Sequence, residues 1–185
     1  MRLRQSPKHM LGVGPQALTR AAAGDETAVN DLLRPLLAPA YRLAYMMLRD
    51  RTAAEDAVQE AALRIWRKLP GLTADRDPLP WFLGFVANEC RNARRSRWRS
   101  RVFLGVDDTL VAPTGDSGND PDLLRELARL RHRDRVVVLM FYYLDMPLED
   151  IAAGTGSKTA AVRSRLYRAV KRLKSQLDAG EMGRD

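Results

Sequence analysis

LEDIAAGTGSKTAAVRSRLYRAVKRLK, residues 148–174, decides how the second half of the chain folds. It reads as two short helices around a tight turn. Leu148, Ile151 and Ala152 give the first helix one apolar face at helical spacing. Gly154 and Gly156 break it, and Ser157 is a favoured N-cap type for the next helix. In that next helix Val162, Leu166, Ala169, Leu173 and Leu177 recur with a helical period, which buries that side. The other side carries Ser164, Tyr167, Arg168 and Lys171, flanked by Arg163 and Arg165. No acidic residue occurs between Ile151 and Leu177. A helix-turn-helix whose second helix is cationic throughout suits the major groove of a duplex. The plainer alternative is a helical hairpin with a solvated basic face, and the length of the acid-free run weighs against it.

The composition points the same way. The 185 residues carry a formal net charge of +8, which favours a polyanionic partner. No apolar run reaches the roughly 18 residues of a membrane span. The charged start MRLRQSPKHM has no apolar stretch behind it, unlike a secretory signal. Cys90 is the one cysteine, so no internal disulfide forms, which suits a reducing cytoplasm. His9 and His132 are the two histidines, and no Cys/His metal spacing exists. No P-loop, Rossmann or G-x-S-x-G pattern occurs, so neither a cofactor nor catalysis is expected.

Upstream of the opening motif, residues 1–14 read as a loose tail. Helical patterning starts at Pro15 and pauses at Gly24; Asp25 is placed to cap the next helix. Val29, Leu32, Leu33, Leu36 and Leu37 recur there, and Pro35 and Pro39 are expected to kink or split it. Tyr41 to Leu48 resumes a helical pattern. TAAEDAVQEAALRIWRKL then opens with a capping box, Thr52 and Glu55. Val58, Ala62, Ile65 and Leu69 face a core; Asp56, Glu60, Leu63 and Arg67 face away. An outward Leu63 hints at a protein-binding surface.

After the turn-rich loop GLTADRDPLP (71–80) comes a long basic helix, WFLGFVANECRNARRSRWRSR. Phe82, Val86, Cys90 and Ala93 line its inward side; Gly84, Asn88, Arg91, Arg95 and Trp98 line the outward one. A glycine inside a helix costs about 1 kcal/mol relative to alanine, so Gly84 points to close approach by a partner's backbone. Six arginines fall between Arg91 and Arg101 with no acid among them. Basic side chains mixed with amides and an aromatic suit phosphates and unstacked bases. From Val102 to Asp120 periodicity stops among glycines, prolines and aspartates, as in an interdomain linker. Pro121 restarts helix, and Leu123, Leu124, Leu127 and Leu130 form a stripe. RDRVVVLMFYYL (133–144) reads as helix, because a lone strand would lack a pairing partner. The expected fold is all-α: a tail (1–14), a first helical domain (15–101), a flexible linker (102–121), and a four-helix domain with the helix-turn-helix (122–185).

AEDAVQEAALRIWRKL (54–69), PWFLGFVANECRNARR (80–95) and LEDIA…TAAVRSRLYRAVKRL, in that order and with a linker of this size, resemble a bacterial sigma factor of the extracytoplasmic-function group. The resemblance spans residues 16–177. It implies a non-enzymatic subunit that docks on core RNA polymerase and directs it to promoters. On that resemblance Asp56, Gln59, Glu60 and Leu63 meet the clamp helices of the polymerase's largest subunit. Arg64 and Asn88 contact the non-template strand of the −10 element, with Asn92 and Arg95 near it. The loop 71–77 captures a flipped-out base. Arg163, Ser164, Tyr167 and Arg168 read the −35 duplex. An anti-sigma protein is the implied regulator, and no membrane insertion is expected. One departure is Leu130-Arg131 where family members often have Leu-Pro, which could shift the following helix start. Two rivals stay open from the residues alone. One is a stand-alone helix-turn-helix regulator. The other is a nucleic-acid-processing enzyme using Glu55, Asp56 and Glu60 to hold metal ions.

Overall fold

The computed structural model describes residues 15–68, 77–104 and 121–182. Among them the secondary structure is helical, with no strand. The first half is α1 (Pro15–Ala22), α2 (Glu26–Leu48), α3 (Arg51–Lys68) and α4 (Pro78–Leu104). The second is α5 (Pro121–Arg129), α6 (His132–Val138) running into a π-helical turn (Leu139–Tyr143), α7 (Leu148–Thr155) and α8 (Thr159–Met182). The linker expected at 102–121 and the base-capture loop at 71–77 fall almost entirely outside the described residues.

Asp25 caps α2, accepting a hydrogen bond from the Ala28 amide at 3.1 Å. Pro35 and Pro39 do not split α2, which is one helix of 23 residues. An interior proline costs a helix ~3 kcal/mol. Leu32, Leu36, Ala40, Leu43 and Ala44 are fully buried along the same helix, and each buried leucine returns about 1.5–3 kcal/mol. Burial therefore outweighs the missing donors. α2 ends on Arg49 in the left-handed conformation, φ 55°, and the chain turns directly into α3.

The expected capping box of α3 is corrected. The helix starts at Arg51, and the cap is Asp50, whose carboxylate accepts from the Ala53 amide at 2.9 Å. Asp50 also holds Arg97 of α4 at 2.8 Å, so one side chain starts α3 and ties it to α4. In the second half, α6 starts at His132 with Arg131 as its flanking residue, so helix resumes without the family's proline. α8 starts at Thr159, and the Lys158 carbonyl accepts its first bonds. Ser157 therefore precedes the cap position and is not the N-cap.

The core is continuous across both halves. Phe82, Val86 and Cys90 of α4, Ile65 of α3 and Leu43 of α2 belong to one buried cluster with Val137, Met140, Ile151 and Val162 of the second half. The tightest point is the crossing of α4 and α7. There a Cβ on Gly84 would overlap the Gly154 carbonyl, and a Cβ on Gly154 would overlap the Pro80 carbonyl. Gly154 is thus inside α7 and serves close packing, while Gly156, at φ 62°, is the residue that ends the helix. Elsewhere between the halves the buried Arg135 of α6 donates to the Met47 carbonyl of α2 at 3.3 Å and to the Leu130 carbonyl at 3.1 Å.

Candidate nucleic-acid and polymerase interfaces

α8 lies with Val162, Leu166, Ala169 and Leu173 in the core. That burial fixes which face is left outside. Arg163, Ser164, Tyr167, Arg168 and Lys171 are all exposed, and Tyr167 is 71% exposed. A large aromatic side chain in water on a cationic helix is suited to contact bases or sugar. Arg168 donates through Nε to the Ser164 carbonyl of its own helix at 3.2 Å, which holds its guanidinium beside the row. Arg165 lies off this row: it pairs with Asp134 at 3.3 Å and helps seat α8 on α6.

On α4 the outward face expected from periodicity is only partly outward. Asn88, Asn92 and Arg95 are exposed and Arg91 is half-buried, but Gly84 is buried against α7. The close backbone approach expected at Gly84 is real, and its partner is the chain's own α7. The side chain of Trp98 lies outside the described residues. Arg64 of α3 reaches across to α4 and pairs with the buried Glu89 at 2.8 Å. Asn92 donates to the other oxygen of Glu89 at 3.2 Å. Glu89 therefore fixes two of the expected strand-contacting side chains next to exposed Asn88. Sequence periodicity did not single out Glu89; an acid in an otherwise cationic helix is the signal that could have.

Asp56, Gln59, Glu60 and Leu63 are exposed along one side of α3. Gln59 and Leu63 border a groove of about 500 Å³ between α2 and α3, which Val29, Leu33 and Trp66 also line. Trp66 is 46% exposed and Leu63 41%. Two large apolar side chains one helical turn apart form a patch that a partner can bury. Trp66 was missed in the sequence reading, though it stands three residues from Leu63. Among the described residues no three His, Cys, Asp or Glu side chains converge in a metal-holding group, Glu55, Asp56 and Glu60 included. Cys90 is buried, and burial pushes its thiol up to about 12. No helix among the described residues is long and apolar enough to cross a membrane.

Residues 32–100 match the family described as sigma-70 region 2, and residues 121–173 match sigma-70 region 4. The chain is 32% identical over 143 residues to RNA polymerase sigma factor SigV of Bacillus subtilis (strain 168), covering 74% of this chain and 83% of that protein. It is 32% identical to ECF RNA polymerase sigma factor SigL of Mycobacterium tuberculosis (strain H37Rv), covering 85% of this chain and 93% of SigL. The chain belongs to the extracytoplasmic-function group of sigma-70 factors. The fold agrees. A structure of CnrH in complex with the cytosolic domain of CnrY superposes with a TM-score of 0.69 at 23% identity, covering 90% of this sigma factor and 98% of that chain. The sigma factor RpoE of Bartonella quintana, in complex with the anti-sigma factor NepR, gives 0.66 at 21% identity over 79% and 94% of the two chains. The match to region 2 favours a sigma factor over a stand-alone helix-turn-helix regulator, because it covers the half that such a regulator would not need.

Proposed function

We propose that this sigma factor grips promoter DNA at two places while seated on core RNA polymerase. Residues 15–101 act as the polymerase-binding and −10 module, 102–121 as the tether, and 122–185 as the −35 module. The observation that carries the proposal is the exposed row Arg163, Ser164, Tyr167 and Arg168 on a helix whose opposite face is locked in the core. Phosphate contacts would set the position of α8 on the −35 duplex, and a few base contacts its sequence preference. Arg64, Asn88, Asn92 and Arg95 hold the unpaired non-template strand at −10. Extruding a base costs a few kcal/mol, which contacts to that base must offset. Opening is then capture of a melted state and needs no ATP; the chain is not itself an enzyme.

Asp56, Gln59, Glu60 and Leu63, joined by Trp66, dock on the clamp helices of the polymerase's largest subunit. The tether keeps the second grip at high local concentration once the first has bound. The complex of RpoE with the anti-sigma factor NepR supports a comparable protein partner for this chain, acting in the cytoplasm.

In vitro transcription with purified core polymerase and a promoter library tests the proposal. Start sites should appear that core polymerase alone does not use. Failure to co-purify with polymerase, or tight sequence-specific duplex binding without it, would overturn the reading.

A further inference from the structure

The two halves meet at a second place besides the glycine crossing. A cleft of about 370 Å³ opens between α4 and the α5–α6 junction. Arg91, Arg94 and Arg95 line it from the first half, and Leu130, Arg131 and His132 from the second. Among the described residues no carboxylate lines it. The neighbouring acids are committed elsewhere: Glu89 to Arg64, Glu126 to Arg129 and Asp134 to Arg165.

This is an unusual way to close a seam between two domains. Like charges facing each other favour separation, and here the facing groups are guanidinium against guanidinium. Some of their donors are also unused: among the described residues, Arg91 Nε is buried without a hydrogen-bond partner. Arg135 adjoins the same junction. It is 3% exposed, accepted only by backbone carbonyls, and its Nε is likewise unpartnered. A buried donor left unpaired costs about 1–3 kcal/mol, and more when charged. The positive field is strong enough to act on its own members. Burial first, then Arg135, Arg91 and Arg94, bring His132 down to about 4. Burial and Arg94 bring Arg135 down to about 10.

We propose that this cleft binds a small phosphate-bearing anion, of diphosphate or oligophosphate size, which staples the two domains in their packed arrangement. Phosphate oxygens accept several charge-assisted hydrogen bonds at once, and guanidinium groups offer them in matching pairs. The volume lies at the lower end of the range for small-molecule sites, about 300–1,000 Å³. The ligating groups come from both halves, so an anion touching all of them exists only while the halves are packed. By linkage it stabilises that arrangement over the separated one.

The probe is inorganic pyrophosphate, titrated into the full chain by calorimetry at constant ionic strength held with sodium chloride. One saturable site per chain is expected, with a thermal midpoint that rises with pyrophosphate and an X-ray scattering radius that stays small. The double variant Arg94→Gln/Arg131→Gln, checked for unchanged circular dichroism, should bind at least tenfold more weakly. Arg94→Lys/Arg131→Lys, which restores the charges, should recover part of the affinity. A parallel titration with a short single-stranded oligonucleotide separates the two sources of phosphate. If the oligonucleotide binds through Arg94 and Arg131 and pyrophosphate does not, the cleft is a DNA-backbone contact and the proposal fails. It fails equally if pyrophosphate gives no saturable heat, binds the glutamine variant as well as the wild type, or expands the chain.

Discussion

Gly84 and Gly154 meet without room for a single methyl group: a Cβ on Gly84 would overlap the carbonyl of Gly154, a residue 70 positions away on another domain. Gly84→Ala gains about 1 kcal/mol of helix propensity. Against this, an overpacked methyl costs typically about 1–3 kcal/mol, and here the obstacle is backbone, which cannot swing aside. The clash wins. Gly84→Ala should separate the two domains, raising the radius of gyration by small-angle scattering and lowering the thermal midpoint. Gly154→Ala should do the same, because its own Cβ meets the Pro80 carbonyl. An unchanged radius in both variants would refute the crossing.

Leu63 and Trp66 stand one turn apart on α3 and are both substantially exposed. Leu63→Asp or Trp66→Asp should leave the fold intact, since neither side chain is in the core. Each should weaken binding to core polymerase by about 2 kcal/mol, roughly 30-fold, if it is a central anchor. A pull-down at wild-type level for both would remove them from the interface.

Arg163→Ala and Arg168→Ala should each cost −35 recognition about 1–3 kcal/mol where the side chain contacts a base. Arg168 must first exchange its bond to the Ser164 carbonyl for one to DNA. Its loss should therefore fall towards the lower end of that range. Footprinting by the polymerase complex on promoters with and without the −35 element measures the difference.

Asn88 is exposed beside the Arg64–Glu89–Asn92 group. Asn88→Ala should impair promoter opening, read by permanganate reactivity, more than duplex binding. Equal loss in the two assays contradicts a strand-holding role.

The caps and the seam predict opposite ends of an acid titration. The Asp50 carboxyl is held below its usual range first by the hydrogen bond from Ala53, then by Arg97. Its contribution is complete above the ordinary value of 3.8 and is lost as the pH falls through the lower folded value. His132 behaves differently, because burial among Arg135, Arg91 and Arg94 keeps it neutral down to about 4. Packing at the seam should be complete above the ordinary histidine value of 6.5 and weaken as the pH falls from there towards 4. His132→Asn should flatten that part of the stability profile and leave the lower part, set by carboxylates, unchanged.

Helical periodicity placed most of the described helices to within a few residues, because most bury one stripe of apolar residues. It failed where a short-range signal competed with a long-range one. Thr52 and Glu55 form a capping box on paper, yet Asp50 is chosen, since it can start α3 and hold Arg97 at once. Pro35 and Pro39 signal a break that the buried leucines on both sides override. The exposed row on α8 was legible because its opposite face is strictly apolar. Glu89 and Trp66 were not, because a helical wheel cannot say that Glu89 sits below Arg64 or that Trp66 borders a groove with α2. Gly84 was read as an anomaly needing a neighbour; only the fold tells that the neighbour is Gly154.

The single core running through both halves has a consequence for any measured affinity. In the proposed function the two modules hold separate promoter elements, whereas here they share side-chain contacts. If the two modules grip those elements as proposed, they must first part. If only a fraction of free molecules is parted at any moment, the observed dissociation constant for polymerase is the intrinsic one divided by that fraction. Loosening the contact between Gly84 and Gly154 would then make the protein a tighter polymerase ligand while making it a less stable one.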